Sequence, residues 1–122
     1  MKTYEADEQA ALFEWAGVMS HTYPELKLMH HIPNGGSRHK AEAANLKRQG
    51  VKAGVPDICL PVARSGYHGL YIELKANDNR PTKHQEEWLR NLRKNGYAAY
   101  ICRSWGSAGK LILLYLKGAL EE

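Results

Sequence analysis

Two short runs hold the residue types needed for metal-assisted chemistry: Gly54-Val55-Pro56-Asp57-Ile58-Cys59-Leu60 and Gly69-Leu70-Tyr71-Ile72-Glu73-Leu74-Lys75. Each joins charged groups to an apolar segment of strand length. Residues two apart on a strand point to one face, so Glu73 and Lys75 project together while Leu74 faces the core. With the Asp57 segment paired beside that strand, Asp57 and Glu73 could share one hard divalent cation, with Lys75 next to the water that the cation acidifies. Such an ion also stabilises charge on phosphate oxygens, which is what phosphodiester hydrolysis needs. Taken singly, each residue has a plainer explanation: Asp57 as a turn residue after proline, Glu73 and Lys75 as a surface pair ending a strand. Their joint placement on two successive apolar runs favours the metal site.

Several elements must position these groups. Residues 4–20 have the spacing of an amphipathic helix, with Thr3 as a cap and Leu12, Trp15, Ala16 and Met19 on the buried stripe. Glu5, Glu8 and Gln9 continue that stripe toward the N-terminus. Residues 27–32 read as a short strand, halted by the turn signal Pro33-Asn34-Gly35-Gly36. Ser37 is placed to cap a helix over 38–49, which Gly50 ends. Strands at 57–62 and 69–75 follow, joined by the hairpin-like Arg64-Ser65-Gly66-Tyr67. Pro81-Thr82 opens a helix that buries Trp88, Leu89 and Leu92 and stops at Asn95-Gly96, before an apolar strand at 97–102. In the tail, Leu111, Leu114 and Tyr115 fit a helix over 105–116, although 111–116 as a continuous apolar run also fits a strand; helix is the adopted expectation. The order α-β-α-β-β-α-β-α predicts an α/β fold, a central mixed sheet flanked by helices.

A chain of 122 residues, 43% hydrophobic and 25% charged, is expected to form a single domain over 1–122 with a core of its own. No apolar run approaches a membrane span and the N-terminus is polar and acidic, so no membrane partner and a cytoplasmic location (bacterial, or in a phage-infected host) are expected. Cys59 and Cys102 fall in predicted core strands and read as two reduced thiols. The six histidines have no ligand spacing; His30 and His31 are adjacent on a predicted strand and face opposite sides, which excludes joint ligation.

The net charge of +4 is unevenly placed. Arg38, Lys40, Lys47, Arg48 and Lys52 form one basic group, and Arg80, Lys83, Arg90, Arg93 and Lys94 form another behind the Glu73 strand. Basic patches flanking a carboxylate cluster suit a polyanion held over a metal site, while an ordinary solvated surface explains the charge equally well.

Ordered matches along nearly the whole chain sharpen this. They are Glu5-Ala6-Asp7-Glu8-Gln9 before Leu12-Phe13-Glu14-Trp15-Ala16; His31-Ile32-Pro33-Asn34-Gly35-Gly36; the stretch from Leu46-Lys47-Arg48-Gln49-Gly50 through Val51-Lys52-Ala53-Gly54-Val55-Pro56-Asp57; Gly66-Tyr67-His68-Gly69-Leu70-Tyr71-Ile72-Glu73-Leu74-Lys75; Gln85 ahead of Trp88-Leu89; and Gly96-Tyr97. In these the sequence resembles the VRR-NUC family of the PD-(D/E)xK nuclease superfamily, in its stand-alone phage and bacterial form. The resemblance implies a restriction-endonuclease-like core and a metal-dependent DNA endonuclease. It also implies magnesium or manganese on Asp57 and Glu73, with the main-chain carbonyl of Ile58 or Leu74 as a further oxygen ligand. Lys75 would orient or help deprotonate the attacking water and steady the phosphate. The family's helical glutamate falls on Glu5, with Glu8 as second choice; acids in a first turn also suit the helix dipole. Gln85 would hydrogen-bond the site, yet Thr82-x-x-Gln85 is also a capping box, and the two roles are compatible. His31, Asn34, Gly35, Arg38, Lys47, Arg48, Lys52, Arg80 and Lys83 are the candidate DNA contacts, Asn34-Gly35-Gly36 being equally readable as a tight turn.

By the same resemblance, small domains of this kind act as homodimers on branched DNA such as Holliday junctions, a two-fold enzyme suiting a two-fold substrate. A junction-binding module with little turnover, and a nuclease acting on flap or linear DNA, are the rival expectations. No helix-turn-helix or zinc finger announces sequence readout.

Overall fold

A computed structural model describes residues 3–33 and 39–121. The first helix, α1 (Thr3–Met19), takes in Thr3, the residue expected to cap it. Its stripe behaves as predicted: Leu12 and Ala16 are buried, and Trp15 and Met19 pack against the same core. The predicted strand at 27–32 is mostly something else. Pro24–Leu28 is a 3-10 helix, and only His30–His31 is a strand, β1. Pro24 presets the helical φ. Leu26 and Met29, three apart, are then both buried, which matches a period of three residues per turn and not the alternation of a strand.

The second helix, α2 (Lys40–Arg48), is preceded by His39 without a side-chain cap, and it buries none of its residues. The expected cap Ser37 lies outside the described residues. Strand β2 (Ile58–Leu60) is shorter than predicted, held between Pro56 and Pro61, neither of which has an N–H to give a ladder. A tight reversal with Ser65 at φ 52° and Gly66 at φ 82° closes Arg64 on Tyr67. Both central residues lie in the left-handed region, as a two-residue hairpin turn requires. Strand β3 (Leu70–Leu74), helix α3 (Lys83–Lys94), strand β4 (Ala98–Cys102) and helix α4 (Trp105–Leu116) complete the chain. The stretch 105–116 is therefore helix throughout, with no strand at 111–116. Ser104 and Ser107 form a capping box at its start, and Ala108, Ile112, Tyr115 and Leu116 are buried at helical spacing.

The sheet order is β1-β2-β3-β4, antiparallel except for the parallel β3–β4 pair. Helices cover both faces. Leu70, Ile72 and Leu74 of β3, with Ile58 and Leu60 of β2, pack on α1 and α4; Tyr71, with Ala99 and Ile101 of β4, packs on Leu89 and Leu92 of α3. The predicted α/β order, mixed sheet and flanking helices are all present, in a restriction-endonuclease-like arrangement. Cys59 and Cys102 are free, buried thiols, as expected.

Candidate active site

The register that pairs Ile58 with Ile72 sets Asp57 beside Glu73, just beyond the end of β2. Asp57 Oδ2 accepts the Leu74 N–H at 2.8 Å, so the carboxylate substitutes for the ladder partner that β2 no longer provides. The Asp57 carbonyl is held from the other side by Ile32 N at 2.7 Å and His31 Nδ1 at 2.8 Å. Proline at 56 and the β1 contact together fix both ends of this residue's backbone.

Glu73 lies on the α3 face of β3, and it is only 3% exposed. Its Oε2 accepts the Gln85 Nε2–H at 3.0 Å and lies 3.8 Å from Lys75 Nζ. Its Oε1 is buried without a hydrogen-bond partner. Burial pushes the Glu73 carboxyl up to about 8, Asp57 beside it adding to the rise and Lys75 opposing it. Burial likewise raises Asp57, against the Leu74 N–H, which favours the ionised form. Two adjoining acids that cannot both ionise at low cost, one with an orphaned buried oxygen, make a fitting donor set for a hard divalent cation. Among the described residues no three carboxylate, imidazole or thiolate side chains cluster as ligands, so two side chains plus backbone oxygen and water would complete the shell. Of the two candidate carbonyls, Ile58 is turned into the pairing with Ile72, while Leu74 lies two residues past Ile72, the last residue of β3 paired with β2, on the side where its N–H meets Asp57.

Gln85 reaches Glu73 because α3 starts in the right place. Thr82 Oγ1 accepts the Gln85 N–H, and Gln85 Oε1 accepts the Thr82 N–H at 2.8 Å, leaving Nε2 free to donate to Glu73. The capping box and the site contact are the same side chain. Gly54, at φ +90°, lets the Asp57 segment lie against this turn: a Cβ there would stand 2.6 Å from the His84 carbonyl carbon.

The first-helix carboxylates part company in space. Glu5 Oε2 accepts the Ala76 N–H at 2.8 Å, one residue past Lys75, and its charge raises both Asp57 and Glu73. Glu8 Oε1 instead accepts the Trp105 N–H at 2.9 Å, at the start of α4.

A VRR-NUC domain model matches residues 6–105 of the chain. The chain belongs to the VRR-NUC family. A solved structure of a VRR-NUC domain protein is 32% identical, superposes with a TM-score of 0.80, and is covered over 91% of its length by 96% of this chain. No functionally curated protein matches it. The family name denotes a nuclease-type domain, and the mixed sheet with its flanking helices belongs to that fold.

The remaining predicted contacts of this VRR-NUC domain are dispersed. Arg80 and Lys83 are exposed around the start of α3, next to Gln85. Lys47 and Arg48 are exposed on α2, Arg48 bonded to Asn45, and Lys52 is exposed beyond it. His31 is half-buried and engaged with the Asp57 carbonyl. Asn34, Gly35 and Arg38 lie outside the described residues. Arg93, counted in the second basic group, gives both Nε and Nη2 to the Ala99 carbonyl and caps the outer edge of β4. Sequence reasoning did not foresee Arg103, which donates from Nη1 to the carbonyls of Asn77 and Asn79 and fixes the loop between Lys75 and Gln85. Nothing in the spacing of Arg103 announces this, because the contact spans a crossover.

Proposed function

We propose that this VRR-NUC domain is a divalent-metal-dependent DNA endonuclease, with Asp57 and Glu73 as metal-holding carboxylates and Lys75, Gln85 and Glu5 as their working partners. The observation that carries the proposal is the convergence of Asp57, Glu73 and Lys75 at one strand end, with Glu73 Oε1 buried and unpartnered. Magnesium or manganese, when bound, would supply charge for the phosphate oxygens and acidify the attacking water. Asp57, Glu73 and the Leu74 carbonyl would hold the ion. Gln85 keeps the Glu73 carboxylate in one orientation through its amide N–H. Lys75, beside Glu73, presents its ammonium to the scissile phosphate and orients the incoming water. Glu5, by holding Ala76 N, sets the direction in which the chain leaves Lys75.

Arg80 and Lys83 flank the site and supply phosphate contacts, with Lys47, Arg48 and Lys52 as a second group. Branched DNA such as a Holliday junction, cut by a homodimer, is the substrate form favoured by family resemblance and by two-fold symmetry. A panel of linear, flap and four-way DNAs with magnesium or manganese tests this reading, with Asp57→Ala as the control. Cleavage that needs the metal and disappears in Asp57→Ala, while binding persists in calcium, is expected. Tight binding without cleavage of any form would favour a junction-binding module instead. Affinity should fall steeply with salt, as for any interface dominated by phosphate contacts.

A further inference from the structure

The parallel β3–β4 pair runs in register from Leu70↔Ala98 to Leu74↔Cys102, and Lys75 N donates to Cys102 O at 3.0 Å. The two strands therefore finish together, and the residues after β4 emerge beside Lys75. Arg103 and Trp105 are the first large side chains there. The Arg103 guanidinium is tethered by the carbonyls of Asn77 and Asn79, which orient it without neutralising its charge. The Trp105 backbone N–H donates to Glu8 of α1, and Tyr4 lies one helical turn before Glu8 on the same side of that helix. Six large hydrophobic residues are exposed among those described, and only two are aromatic: Tyr4 at 44% and Trp105 at 39%. Both are at this end of the sheet, whereas Trp15 and Trp88 pack against the two cores.

We propose that Arg103, Trp105 and Tyr4 form a subsite for unpaired nucleotides of the DNA strand, with the guanidinium on a phosphate and the indole stacked on a base. This rests on the nuclease reading above and names the part of the substrate that lies at the strand ends. An exposed aromatic two residues along the chain from an oriented cation supplies the two groups that hold single strands without reading their sequence. It also gives the domain a means of preferring DNA with a frayed or branched end, because a fully paired duplex offers no free base face to stack.

The test uses the uncleaving Asp57→Ala chain, titrated with an oligothymidylate and with a blunt duplex of equal length. Tryptophan fluorescence should be quenched by the oligothymidylate, and that quench should vanish when Trp105→Phe is added, Trp15 and Trp88 remaining. Trp105→Ala should weaken oligothymidylate binding about tenfold and duplex binding less than about twofold. A quench that survives Trp105→Phe, or equal weakening on both DNAs, overturns the subsite. So does a shift from dimer to monomer in sedimentation with unchanged strand binding, which would make Trp105 a contact between two copies. Metal-dependent cleavage by the unmodified chain is read separately, so the subsite can fail while the nuclease reading stands.

Discussion

Gln85 donates from Nε2 to Glu73 Oε2 at 3.0 Å while its Oε1 accepts the Thr82 N–H, so one amide both caps α3 and orients a buried acid. Folding of the helix start and alignment of the site are thereby the same event. The geometry explains why a residue with a sufficient local explanation also reaches the candidate site.

Replacing Gln85 separates its two duties. Gln85→Ala loses the capping partner and the Glu73 contact, and should lower stability by about 1 kcal/mol while reducing cleavage more than DNA affinity. Gln85→Glu can still accept the Thr82 N–H but sets a like charge against Glu73. It should retain more of the helix stability and none of the lost cleavage. Denaturant melts and single-turnover rates on both variants check this.

Glu73 has a folded pKa of about 8 against an ordinary 4.5. Between those values the folded chain holds a proton that the unfolded chain has released. Stability in chelator should therefore fall as pH rises through that window and level off above it. Magnesium or manganese should displace the proton, so their affinity should rise with pH over the same range. Thermal melts from about pH 5 to about pH 9, with and without metal, read both trends; Glu73→Gln should flatten the chelator curve. A melting temperature that climbs with pH in chelator would contradict the assignment.

Glu5 and Glu8 are expected to differ in kind. Glu5→Gln weakens a charge near Asp57 and Glu73 and should lower cleavage with a small change in stability. Glu8→Gln touches only the start of α4 and should leave cleavage within about twofold, its effect being a few tenths of a kcal/mol on folding. Parallel cleavage assays and melts compare the two.

Gly54→Ala adds a Cβ where the backbone has φ +90° and the His84 carbonyl carbon stands 2.6 Å away. The Asp57 segment and the start of α3 must then move apart, since backbone cannot yield as a flexible side chain does. Stability should drop by about 1–3 kcal/mol, with cleavage lost before the fold. Methyl resonances of Ile58 and Leu89 would locate the displacement.

Much of the site was legible because its parts are local. Acid-x-lysine on an apolar run forces Glu73 and Lys75 onto one face, and Thr82-x-x-Gln85 specifies a capping box, whatever the rest of the chain does. The predicted α/β order survives for the same reason, since helical and strand periodicities are properties of short segments. The difference at 27–32 is local as well: Pro24 presets a 3-10 turn that buries Leu26 and Met29, three apart, and runs into the first residues of the expected strand.

What the sequence by itself determined, then, is which residue types stand at each strand end and helix start. Which of two helical acids reaches the site was decided only by tertiary structure, because Glu5 and Glu8 are both half-buried on one helix and differ only in what α1 is packed against. Glu5 meets the N–H beyond β3 and Glu8 the N–H that opens α4. The same holds for His31 on the Asp57 carbonyl and Arg103 on the loop after Lys75, contacts that bridge 26 and 24 or more positions of chain. Long-range partners of this kind depend on strand register and helix docking, which are set by how the two cores close and leave no periodic mark on the chain.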